Sequence, residues 1–186
     1  PSLQGKLEQF CQRQNLLAMQ TVVLCTKSFS FSLFSGLMTK LIFLGTGGGR
    51  YAMATQARAT GGFRIEMDGV NIHIDPGPGA LVRAKEYGVN IKNTDVVMVS
   101  HVHLDHSNDS NAVIDAMTEG AQNPKGILIG SQSAINGYEN NSPVLLKIYL
   151  KALESTVVMK SGDSTNLKNI TVKATPTRHS DATCIG

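Results

Sequence analysis

The short apolar run Asp95-Val96-Val97-Met98-Val99-Ser100 leads directly into His101-Val102-His103-Leu104-Asp105-His106. The first six residues have the β-branched character of a buried strand. The second six form an H-x-H-x-D-H pattern, and it constrains the chain more than any other feature. Three imidazoles and a carboxylate crowd into one strand end, where open α/β folds place their sites. In an extended segment residues two apart point to the same side, so His101 and His103 aim at one point. Asp105 and His106 follow after the chain turns and aim at a second point beside it. The pattern differs from the helical i, i+4 histidine pair and predicts a loop site with room for two ions.

The chain has five histidines, and three of them lie in this hexapeptide. A fourth, His179, follows another strand-like run within Thr175-Pro176-Thr177-Arg178-His179-Ser180. Imidazoles clustered with a carboxylate suit zinc and similar divalent ions, with manganese or iron as alternatives. The metal candidates are therefore His101, His103, Asp105, His106 and His179. His73 alternates with Ile72 and Ile74 in an apolar strand and reads as structural.

These motifs resemble those of the metallo-β-lactamase superfamily. His101-Val102-His103-Leu104-Asp105-His106 is similar to its signature hexapeptide. Thr39 to Gly49, ending Gly45-Thr46-Gly47-Gly48-Gly49, resembles the opening strand and glycine turn of its ribonuclease Z-like and phosphodiesterase branches. Asp75-Pro76-Gly77-Pro78-Gly79 resembles its early Asp-Pro-Gly turn, and His179 matches its isolated third-motif His. The resemblance runs from Met38 to the last residue. It implies an α/β (α+β) αββα sandwich, of which this chain carries the first half and the start of the second. Family members add a metal-bridging Asp and a final His from later in the chain. No residue after Asp181 matches these, and Asp181 lies too close to His179 for the bridging position. The expectation is thus a domain over residues 38–186 that is incomplete at its C-terminus.

The chemistry so implied is hydrolysis by metal-activated water. His101, His103 and His179 would hold one ion, and Asp105 with His106 would begin a second site. Zinc lowers the pKa of its bound water from about 15.7 to about 7. The resemblance makes Asp105 both a ligand and a catalytic proton acceptor. It favours a phosphodiester, small-molecule or nucleic acid, as substrate, and a homodimer as assembly. A thioester, lactone or β-lactam hydrolase on the same fold is an alternative. So is a non-catalytic metal-binding domain.

Composition sets the remaining bounds. With 186 residues, 41% hydrophobic and 17% charged, the chain fits one ordinary globular domain. Residues 1–37 carry Lys6, Arg13, Lys27 and Glu8, and the other 14 basic and 13 acidic side chains nearly cancel. That balance lacks the basic stripe of a nucleic-acid binder. Three scattered cysteines give no disulfide framework and point to a reducing cytoplasm. Residues 1–37 read as a leader or extension outside the fold, too polar for a membrane span, with any helix near Leu3–Met19.

Along the rest of the chain, Gly62–Met67 and Val70–Ile74 form a hairpin around Asp68-Gly69. Asp75 can orient a metal-bound His. The glycine turn at 45–49 reads as a tight turn lining the site, since no P-loop or dinucleotide pattern follows. Arg50 and Arg58 are candidates to face an anionic substrate. Helices are predicted over Gly79–Tyr87, from Asn108-Asp109-Ser110 to Gly120, and over Pro143–Leu153. Strands are predicted at Gly126–Ile129, Thr156–Met159, Ile170–Ala174 and from Thr183, with a turn at Ser161-Gly162-Asp163.

Overall fold

The computed structural model describes residues 39–186. The proposed leader, residues 1–37, lies outside the described residues. A six-stranded sheet forms the centre: β1 (Lys40–Gly45), β2 (Thr60–Met67), β3 (Val70–Ile74), β4 (Val96–Val99), β5 (Ile127–Ser131) and β6 (Ser155–Met159). The strands lie side by side in chain order. The first three are antiparallel, and β3 to β6 are parallel.

Parallel neighbours require crossovers, and these supply every helix but the first, which joins the antiparallel β1 and β2. Helix α1 (Gly49–Thr55) follows β1, and α2 (Ala80–Glu86) follows β3. The short α3 (Leu104–Ser107) and the longer α4 (Ser110–Met117) follow β4. Helices α5 (Gln132–Asn136) and α6 (Lys147–Lys151) lie between β5 and β6. A small hairpin, β7 (Ser164–Leu167) and β8 (Ile170–Lys173), stands as a second sheet.

Alternation along the central strands sorts the core into two layers. Val97, Val99 and Leu128 meet Ala84, Val113, Ile114 and Met117 from the helices. Val96, Ile129 and Met159 point the other way, against Leu167 and Ile170 of the small hairpin. The central strands are apolar on both faces because both are covered. Among the described residues no helix is long and apolar enough to cross a membrane.

The β2–β3 hairpin turns where expected. Met67 pairs with Val70, and Asp68 and Gly69 take φ of 52° and 71°, as the two-residue turn demands.

Other expectations need correction. Helix α6 is only Lys147–Lys151, not Pro143–Leu153. Val144 N–H donates to Ala134 O (3.0 Å) and Leu146 N–H to Asn111 Oδ1 (2.9 Å). These outward bonds hold residues 144–146 away from helical pairing. The turn at Ser161-Gly162-Asp163 is present, with Asp163 N–H donating to Lys160 O (3.0 Å), but it leads into an unexpected strand, β7, which pairs with β8. The strand expected from Thr183 reduces to one bridge, Ile185 with Pro176.

Candidate metal centre

The H-x-H-x-D-H segment begins one residue beyond β4. His101 and His103 follow on either side of a bend at Val102, and His103 is extended. The chain then closes into α3, where His106 N–H and Ser107 N–H both donate to His103 O (2.9 and 3.0 Å). Asp105 and His106 therefore sit on a short helical turn, not on an open loop. The buried Ser107 hydroxyl fastens that turn to the carbonyls of Val102 and His103, each 3.0 Å away. A Cβ on Gly77 would overlap the Asp105 and Thr60 carbonyls. The Asp75-Pro76-Gly77 turn can press against the metal segment only because that side chain is missing.

Four imidazoles gather above the strand tips. His101 lies 4.9 Å from His103, 4.3 Å from His106 and 4.2 Å from His179, ring centre to ring centre. His103 and His179 are 4.7 Å apart. One nitrogen from each of His101, His103 and His179 falls within 4.8 Å of the others. Asp105 stands beside this group, its Oδ2 3.4 Å from His106 Nε2.

Asp75, at the tip of β3, organises the rings from behind. Its Oδ1 accepts from Ser100 N–H (2.7 Å), and its Oδ2 accepts from the Ser100 hydroxyl (2.7 Å) and His106 Nδ1 (2.9 Å). A carboxylate only accepts, so it takes the one proton of the Ser100 hydroxyl. The contact between Ser100 Oγ and His101 Nδ1 (2.9 Å) must then be donated by Nδ1. The lone pair of His101 is thereby assigned to Nε2. That atom is buried and has no hydrogen-bond partner among the described residues.

Charge follows the same arrangement. Burial first, and then the neighbouring His106 and His179, lower the His101 pKa to about 4, so its ring is neutral at pH 7. The hydrogen bond to Asp75 outweighs burial and raises His106. Burial pushes the Asp105 carboxyl up, but the Gly49 N–H and His106 outweigh it and the net direction is down. The Gly49 N–H lies 2.5 Å from Asp105 Oδ2, which ties the glycine turn to the site.

A buried imidazole lone pair without a proton donor is costly unless something else fills it. Neutral nitrogens converging on one point are what a divalent ion of zinc type requires. The donors present thus fit such an ion. At His179, Nδ1 now accepts from Asp181 N–H (3.1 Å). For Nε2 to ligate, that hydrogen bond has to give way, because a ring ligating through Nε2 carries its proton on Nδ1.

The cavity over the rings measures about 710 Å³, and Arg50, Met53 and Leu104 line its walls. Arg50 is its one lysine or arginine; Arg58 does not line it. His73 does not line this cavity and is fully buried, with Nε2 2.9 Å from Gly61 O. Sequence reasoning missed Ser100 and Ser107, whose hydroxyls shape the segment. A serine next to a motif gives no signal of its own.

A mixed sheet with an H-x-H-x-D-H turn at one strand tip, facing an isolated His from a later loop, defines a metallo-β-lactamase-type fold. A family profile described as a beta-lactamase superfamily domain matches residues 70–186. The chain belongs to that superfamily. An uncharacterized protein of Methanocaldococcus jannaschii is 41% identical over 150 residues, covering 81% of this chain and 56% of that protein. Ribonuclease Z of Sulfolobus acidocaldarius is 26% identical over 148 residues, covering 76% of this chain and 45% of the enzyme. The chain thus spans about half the length of these relatives. Among solved structures, the metallo-beta-lactamase fold protein YhfI of Bacillus subtilis superposes with a TM-score of 0.57 at 20% identity. That match covers 79% of this chain and 55% of YhfI.

Proposed function

We propose that this chain carries the metal-binding half of a hydrolase acting on a phosphodiester. The observation that carries the reading is the convergence of His101, His103 and His179, with the buried His101 Nε2 lacking a hydrogen-bond partner among the described residues. These three would hold one ion, and Asp105 and His106 lie beside them to begin a second site. Three imidazoles favour zinc over harder ions. A bound divalent ion of this kind supplies ionised water at neutral pH.

The chain's own residues have separate tasks. Asp75 orients His106 directly and His101 through Ser100. Asp105, held low in pKa, contributes negative charge and is a weak proton acceptor; its ligand role is favoured over general base. Arg50 lines the cavity, and a guanidinium suits the non-bridging oxygens of a phosphodiester. The match to a ribonuclease Z supports that substrate class.

The test is metal analysis of the purified chain with turnover of bis(p-nitrophenyl) phosphate and of nitrocefin. The expected result is zinc uptake and zinc-dependent cleavage of the phosphodiester, weakened by Arg50→Ala. Faster nitrocefin turnover would replace this reading with a carbonyl substrate. Zinc uptake with neither ester cleaved would leave a metal-binding domain without activity.

A further inference from the structure

The loop that carries His179 is fastened at its base. Thr175 N–H donates to Gly186 O (2.7 Å) and Gly186 N–H to Thr175 O (3.1 Å). Ile185 N–H donates to Ser100 O (3.2 Å), just ahead of the metal segment. Between these bonds the loop runs outward, and residues 175–180 are exposed. Asp181 breaks that trend at 5% exposure.

A buried carboxylate is stable only if donors surround it, and those of Asp181 come from three segments. Oδ2 accepts from the Ser133 hydroxyl (2.5 Å) at the start of α5 and from Val102 N–H (3.3 Å). Oδ1 accepts from Thr183 N–H (2.9 Å). The Thr183 hydroxyl lies within 3.0 Å of Oδ1 and 2.7 Å of Ser133 Oγ. Its oxygen also accepts from Ser133 N–H (3.0 Å). A carboxylate that merely closed the 181–183 turn would need Thr183 alone. The bonds to Ser133 and Val102 do something further. Val102 sits between His101 and His103, so Asp181 joins the backbone of those two ligands to the loop bearing the third.

We propose that Asp181 is a positioning residue whose carboxylate holds the loop bearing His179 against the His101–His103 backbone before an ion arrives. The loop is thereby placed in advance, and only the His179 ring has to give up its Asp181 N–H contact when an ion binds. The proposal rests on the metal reading given above. Partners of ligating residues typically change metal affinity by about 10–100-fold when removed, and the lower end of that range is expected here.

The experiment titrates the metal-free full chain with Co²⁺ and follows visible absorption. It compares wild type with Asp181→Ala, Asp181→Asn and a control, Asp163→Ala. Asp163 accepts from Lys160 N–H (2.8 Å) in a turn away from the cluster. Amide hydrogen exchange over residues 177–183 and thermal melting are measured on the same proteins without metal. Asp181→Ala should bind Co²⁺ at least tenfold more weakly and exchange faster across that loop. Asp181→Asn should fall between, because whichever way its amide turns one N–H faces another. Asp163→Ala should melt earlier yet bind as wild type does. An Asp181→Ala chain within twofold of wild-type affinity overturns the proposal, and so does an equal loss in the control. A wild-type chain that takes up no Co²⁺ overturns the metal reading itself, and this inference with it.

Discussion

His73 shows how a histidine near a candidate metal centre can serve the core instead. It is buried on β3, and desolvation first of all lowers its pKa to about 4, outweighing the Gly61 carbonyl. The ordinary value is near 6.5. The unfolded chain therefore binds the extra proton first as pH falls. The stability due to neutral His73 is complete above about pH 6.5 and is lost as pH falls through about 4. The whole swing is on the order of 3 kcal/mol. His73→Gln, which can still donate to Gly61 O, should flatten that part of the acid-unfolding curve; an unchanged slope from pH 7 to 4 would contradict this. At this scale the sequence was partly transparent. The spacing of His101, His103 and His106 was visible because chemistry concentrated there, and alternation with two isoleucines marked His73 as core. Ser100 and Asp181 were opaque. Their roles arise from contacts with Asp75, Val102 and Ser133, and nothing local encodes such pairings.

Helices in this fold are short and borrow stability from one another. Asp109 stands at the N-cap position of α4. It makes no side-chain cap there. Instead its Oδ2 accepts from Gly79 N–H (2.9 Å) and Ala80 N–H (3.0 Å), capping the start of α2. Asp109→Ala should destabilise the protein by about 1–2 kcal/mol, the usual cost of a lost cap. Chemical denaturation would detect it, and a change below 0.3 kcal/mol would refute the assignment. The Asp68-Gly69 hairpin was legible because a two-residue turn has few solutions. The extent of α6 was not, since Asn111 and Ala134, both distant in sequence, claim the backbone that would extend it.

At the scale of the molecule, the central sheet and the small hairpin together position the candidate donors. β3 brings Asp75, β4 leads to His101 and His103, and the segment after β8 brings His179. An ion that binds only this arrangement stabilises the fold by mass action, about 2.7 kcal/mol at a hundredfold excess over its dissociation constant. Zinc should therefore raise the melting temperature of wild type by roughly 5–10 °C and leave His101→Ala unmoved. A wild-type melt indifferent to zinc would count against the centre. The layering of sheets and helices could be anticipated through the family resemblance, whereas the strand order and the pairing of β7 with β8 depend on cross-strand contacts that periodicity does not reveal. The wide separation along the chain of His103 and His179 also has a temporal meaning. Under the metal reading, no ion would be gripped tightly until β5, β6 and the small hairpin have paired. During synthesis, capture would wait until the ribosome has released residue 179 and that loop has docked. Loading would then report that these elements have come together.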